Sequence, residues 1–141
     1  MSTEDNKAAI QRVFEEVLNQ GNMAVVDEVY SPDNVFHTST GPVHGFEGLK
    51  QFVNMYRSAF PDIQFTIEDL IAEGDKGVTR YTARGTHRGD LQGIPPTGRQ
   101  MTVTGIIISR FANGKFVEGW LDFDALGMLQ QLGVIPGAID L

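Results

Sequence analysis

Residues 101–123, MTVTGIIISRFANGKFVEGWLDF, read as two strands, Met101–Phe111 and Lys115–Phe123, joined by Ala112-Asn113-Gly114. Asparagine followed by glycine tolerates the positive φ that a tight hairpin demands. Read as a three-residue loop, it sets Phe111 opposite Lys115, Gly105 opposite Leu121 and Ile107 opposite Gly119. Ile107 and Leu121 are then diagonal neighbours on one face, close enough for their side chains to meet. A two-residue Asn-Gly loop would instead put them on opposite faces, because one residue of slip turns every side chain over. Together with Phe123 this face is apolar, so the loop type decides what the hairpin presents to the interior.

Working outward, Ile63, Phe65 and Ile67 alternate with Gln64, Thr66 and Glu68, the period of a half-buried strand. Gly74-Asp75 turns the chain into a further strand, Val78–His87, and a loop with two prolines, Gly89–Gly98, leads back to Met101. Upstream the period is helical. Ile10, Val13, Phe14, Val17 and Leu18 form one apolar stripe, with Ser2 or Thr3 to cap its start and Gly21 to end it. Asn22–Tyr30 reads as a short second helix stopped by Ser31-Pro32. Residues 34–39 are extended, and a third helix over about Phe46–Ala59 carries Leu49, Phe52, Val53 and Tyr56 before Pro61 prevents its continuation. A last helix holds Leu126, Met128, Leu129 and Leu132 and ends at Gly133. The order is three helices, a meander of four strands and a helix, with one early strand inserted. That is an α+β class, with helices gathered on one face of an antiparallel sheet. A strongly bent sheet around a long helix leaves a cavity in its mouth, the default place for a ligand.

The chain of 141 residues suits one domain, taken as 1–141. It is 41% hydrophobic and 21% charged, which places it with globular proteins and not with disordered ones. A net charge of −7 and the lack of any basic stripe argue against nucleic acid and against an anionic membrane surface. Its simplest role is solubility. With no cysteine there is neither a disulfide nor a thiolate. The polar start MSTEDNKAAI is unlike a signal peptide and no apolar run is long enough to span a bilayer, so a cytoplasmic location is expected.

Gly85-Thr86-His87-Arg88-Gly89, followed by Gly93-Ile94-Pro95-Pro96-Thr97-Gly98-Arg99, resembles the signature loop of the SnoaL-like polyketide cyclases. The resemblance extends to His44-Gly45-Phe46-Glu47-Gly48, and to Gly114-Lys115, Glu118, Trp120, Asp124 and Leu129-Gln130-Gln131-Leu132-Gly133. It covers nearly the whole chain in unbroken order. It implies the cone-shaped, cystatin-like fold shared with nuclear transport factor 2 and ketosteroid isomerase. The activity it implies is intramolecular aldol ring closure of a polyketide ester, without metal or organic cofactor. Such chemistry needs a group to take a proton alpha to a carbonyl and a partner for the developing oxyanion. The cyclases use an Asp on the last strand and a His fourteen positions upstream. Counted from the Gly114-Lys115 turn and the Gln131-Leu132-Gly133 tail, those positions fall on Leu121 and Ile107, neither of which can move a proton.

Asp122 and Asp124 are the nearest substitutes. Asp122 enters as the candidate catalytic acid, although the register above points it away from the pocket. Asp124 precedes a helix and suits an N-cap. His37, His87, Ile107, Leu121, Phe123 and Tyr56 are taken as ligand-binding candidates. His87 either titrates beside a ligand carbonyl or braces the two-proline loop; His37 either reaches the cavity or sits on a strand edge. His44 lies in a turn. Tyr81 is a second phenol that nothing in the sequence directs. The three histidines have no ligand spacing with carboxylates, so neither metal nor cofactor is expected. Arg110 and Glu118 read as a structural ion pair, and Trp120, Ile106 and Ile108 as core or as the face of a homodimer. The two readings carried forward are a family member binding a small apolar or polyketide-type molecule, using substitute residues for any chemistry, and a non-catalytic binder of such a ligand.

Overall fold

The structure is a computed structural model and describes residues 2–136; Met1 and residues 137–141 of the expected domain lie outside the described residues. Helix α1 spans Thr3–Arg12 and runs on into a π-helical segment, Val13–Asn19. Ser2 caps α1, accepting the Asp5 N–H while Asp5 accepts the Ser2 N–H, so two otherwise unpaired donors are satisfied reciprocally. Ile10, Val13, Phe14 and Val17 are all buried, as their spacing requires. Helix α2, Ala24–Val29, is shorter than its apolar pattern suggested, because Tyr30 already adopts extended geometry. Helix α3 spans Gly45–Ala59.

Strands β1 (Tyr30–Thr38), β2 (Gly41–His44), β3 (Gln64–Glu73), β4 (Lys76–Thr86), β5 (Gln100–Ala112) and β6 (Lys115–Phe123) form one sheet in the order β2-β1-β6-β5-β4-β3. The expected meander of four strands is present, and two features go beyond it. Thr38–Gly41 folds back to make β2, which the Gly/Pro content had suggested was only a turn. β1 lies parallel to β6, with Phe36 opposite Gly119 and His37 opposite Trp120. A short helix α4, Ala125–Gln131, is capped by Asp124, which accepts the Gly127 N–H at 2.9 Å. The Gln131 amide then bonds both backbone groups of Thr102, tying α4 to β5.

The β5–β6 hairpin corrects the sequence reading. Ala112 pairs with Lys115, so the loop has two residues, with Asn113 and Gly114 at φ 50° and 79°. That alone would put Ile107 and Leu121 on opposite faces. Between the Phe111–Phe116 and Arg110–Glu118 pairs, however, β6 carries one extra residue, Val117, in a bulge. The bulge restores the parity that the shorter loop removes, and Ile107 now lies directly opposite Leu121.

Helices and sheet are joined by a few directed contacts. Arg57 of α3 donates to the Leu18 and Asn19 carbonyls at 2.6 and 2.9 Å, closing the open end of the first helix. The Asn19 side chain pairs with both backbone groups of Phe65 on the edge strand β3. After α3, Phe60 is fully buried and Asp62 accepts both the N–H and the hydroxyl of Thr86 at 2.7 Å. Those bonds hold the Asp62 carboxyl below the usual aspartate range. A depressed native pKa contributes stability above the unfolded value that is lost as the pH falls through the native one. In urea melts, the stability gap between the native protein and Asp62→Ala should therefore be constant near neutrality and shrink below about pH 4.

Candidate functional site

The inner face of the sheet and the helices α1 and α3 enclose a cavity of about 110 Å³. Its sheet wall is built by alternation: Tyr81 and Ala83 from β4, Met101, Val103, Ile107 and Ser109 from β5, and Phe116, Gly119, Leu121 and Phe123 from β6. Phe14 and Val17 line it from the first helix and Phe52, Val53 and Tyr56 from α3, while Met128 of α4 closes one end. Phe36 enters over Gly119, where a β-carbon would lie 2.7 Å from its ring, so this glycine makes room for an aromatic wall.

The sequence-derived candidates divide between the two faces of the sheet. Ile107, Leu121, Phe123 and Tyr56 line the cavity. Asp122 does not: it pairs with Ile106, is exposed and lies on the outer face, which removes it as an acid for a molecule inside. His37 also faces outward. Its Nε2 lies 2.8 Å from the Glu118 carboxylate and its ring stacks on Trp120 with centroids 5.6 Å apart. Glu118 also accepts from Arg110 at 3.0 Å, and these two donors hold its carboxyl below the ordinary range. The Arg110–Glu118 pair thus exists, with a histidine as its third member.

His87 is fully buried but lies away from the cavity, packed on Phe60. Its Nδ1 accepts the Thr97 N–H at 3.2 Å and lies 3.0 Å from the Thr97 hydroxyl. Because Nδ1 accepts, the ring proton sits on Nε2. Of its two sequence readings, bracing the two-proline loop is the one the geometry supports. His44 is exposed at the end of β2. Among the described residues no three His, Asp or Glu side chains converge as metal ligands.

Besides the charged Arg57 and Glu118, the residues with polar side chains that border the cavity are Tyr30, Tyr56, Tyr81, Ser109 and Asn34. Burial raises all three phenols above their ordinary pKa. Asn34 donates to the Ser31 carbonyl at 2.8 Å, and its own oxygen has no partner among the described residues. Asn34 and Ser109 were not singled out in the sequence. The alternation of β5 could have found Ser109, which shares the parity of Ile107; Asn34 gave no signal, because its strand was only loosely bounded.

The model of the family called SnoaL-like polyketide cyclase matches residues 8–132. This chain belongs to that family. It is 32% identical over 120 residues to nogalonic acid methyl ester cyclase from Streptomyces nogalater, covering 82% of this chain and 88% of that one. Among solved structures it is similar to a protein from Jannaschia sp. CCS1 assigned to the SnoaL-like polyketide cyclases, with a TM-score of 0.87 and 25% identity over 95% of both chains. TsrD from Streptomyces laurentii gives the same TM-score at 29% identity, covering 96% of this chain and 99% of TsrD. The α+β, cone-shaped fold expected from the resemblance is the one these structures share with this SnoaL-like protein.

A carboxyl placed in the apolar wall would be strongly disfavoured in its charged form, which raises its pKa. Leu121→Asp should cost about 2–4 kcal/mol at pH 8. The deficit should be smaller at pH 4, since a group with a raised native pKa loses stability as the pH rises through that value. Urea denaturation at the two pH values measures the difference.

Proposed function

We propose that this SnoaL-like protein binds a small, largely apolar cyclic or polyketide-type molecule in its cavity and does not carry out the acid–base aldol step of the cyclases. The observation that carries this reading is the Ile107–Leu121 pair, directly opposed on the inner face and flanked by Phe123. Those are the positions on which the resemblance places the cyclases' histidine and aspartate. General acid–base catalysis contributes about 10² to 10⁴ in rate, and an aliphatic pair supplies none of it. Two charged residues touch the cavity, and both are engaged elsewhere: Glu118 with His37 and Arg110, and Arg57 with backbone carbonyls. What the wall does supply is burial. A ligand covering about 200 Å² of apolar surface gains about 5 kcal/mol at 25 cal/mol per Å², before association costs.

The test is a titration with a neutral polycyclic hydrocarbon and, separately, incubation with a polyketide methyl ester. Saturable binding of the hydrocarbon, weakened at least tenfold by Leu121→Asp, is expected, together with no acceleration of ring closure. Asp122→Asn should leave the affinity unchanged. Ring closure by the native protein that Asp122→Asn abolishes would overturn the reading.

We further infer that a second copy of the chain covers the outer face. Ile106, Ile108 and Trp120 are 46%, 36% and 37% exposed there and adjoin one another across β5 and β6. An apolar patch of this kind is what isologous dimers bury. Sedimentation at micromolar concentration should give a dimer for the native chain and a monomer for Ile106→Glu; a native monomer would exclude this face as an interface.

A further inference from the structure

Tyr81, Gly105 and Phe123 form one row across β4, β5 and β6, Tyr81 pairing with Gly105 and Gly105 with Phe123. The missing side chain at Gly105 is filled by the phenol of Tyr81: a β-carbon there would lie 2.4 Å from the Tyr81 hydroxyl oxygen. The ring therefore reaches along the row toward β6. From the opposite wall, Tyr56 of α3 packs edge-on against Phe123, with centroids 6.1 Å apart at 87°. Two phenols, one from the sheet and one from a helix, come together beside Phe123.

Neither phenol hydrogen-bonds to another described residue, and neither oxygen is among the described polar atoms that are sealed from space without a partner. Both hydroxyls thus open on the cavity and its mouth. A hydroxyl in an apolar environment without a partner is costly, and a bound molecule that accepts from it recovers that cost.

We propose that Tyr56 and Tyr81 form a two-donor clamp for an uncharged carbonyl oxygen of the bound molecule. A carbonyl oxygen has two lone pairs and accepts from two directions at once, which a hydrocarbon cannot do. A carboxylate suits the place poorly, because Arg57, the one cation bordering the cavity among the described residues, is held by the Leu18 and Asn19 carbonyls. Burial raises both phenols, and the neighbouring Tyr56 raises Tyr81 further, so both stay protonated as donors through neutral pH. The next inward row is Ile107 with Leu121, so the carbon skeleton beside the carbonyl lies against aliphatic side chains. With no carboxylate or imidazole in that row, the clamp orients a ketone without taking its proton.

This inference rests on the cavity binding apolar molecules, and the two are separated by a matched pair of probes. Fluorene and 9-fluorenone share one ring skeleton and differ in the carbonyl. The native protein should bind the ketone about tenfold more tightly than the hydrocarbon, the effect of two modest hydrogen bonds. The infrared carbonyl stretch of bound fluorenone should fall relative to its value in alkane. Tyr56→Phe and Tyr81→Phe, which keep the ring and its packing, should each reduce the affinity ratio, and the double variant should bring it to one. Equal affinities with an unshifted carbonyl would overturn the clamp and leave the apolar reading standing. A ratio that survives in the double variant would overturn the assignment to these tyrosines. Binding of neither probe would overturn the apolar reading and the clamp with it.

Discussion

The tight turn at Asn113-Gly114 and the bulge at Val117 act together, and the character of the cavity depends on their combination. A strand alternates its side chains with a period of two, so a shift of one residue exchanges the two faces. The two-residue loop makes one such shift and the bulge makes a second. Their sum leaves Phe116, Gly119, Leu121 and Phe123 inside and turns Trp120 and Asp122 outside, while Glu118, held by His37 and Arg110, borders the cavity at its rim with its charge paired. Without the bulge, the acidic residues of β6 would enter a dry interior. A bulge also bends its strand, and on its other edge β6 pairs in parallel with β1.

Keeping that sheet apart from its helices is a separate requirement, met by a small number of directed bonds. Arg57 closes the helix that precedes α2, Asn19 docks it on the edge strand, and Asp62 fastens the exit of α3 to the end of β4. Each satisfies backbone groups that would otherwise be unpaired near the interior. Held at these points, the walls need not collapse on one another, and the aromatic side chains between them line a space instead of filling it. The fully buried Phe60 and His87 pack beneath the loop beside one of these attachments and so serve the frame.

The polar groups of the sheet are sorted by the same alternation. His37, Glu118, Arg110 and Trp120 form a linked cluster on the outside, with direct contacts among histidine, carboxylate and guanidinium. Inside, the polar atoms bordering the cavity are neutral hydroxyls and an amide, apart from charged side chains whose charge is already paired. On the proposed reading, an interior of this kind discriminates by shape and by hydrogen-bond direction more than by proton transfer. The fold is shared with the family's cyclases, while the chemistry available to it depends on which side chains the two strands turn inward.

Much of this architecture follows from local pattern. The helical stripe of Ile10, Phe14 and Val17, the alternation from Ile63 to Ile67, the capping aspartate at position 124 and the apolar face of Ile107, Leu121 and Phe123 were each readable, because periodicity and turn chemistry are properties of neighbouring residues. The family resemblance, spread over most of the chain, carried the fold. What local pattern could not supply were relations between distant segments. The pairing of β1 with β6 placed His37 on Trp120, outside, where strand order alone left its direction open. The bulge at Val117 has no glycine or proline to announce it and arises from how β6 fits both of its neighbours. The meeting of Tyr56 with Phe123, and of Tyr81 with the gap at Gly105, joins segments far apart along the chain, and no local signal spans such separations. Sequence determines which face a residue can share with its neighbours; only the packed structure decides which face is inside and what meets there, because burial is a property of the whole chain.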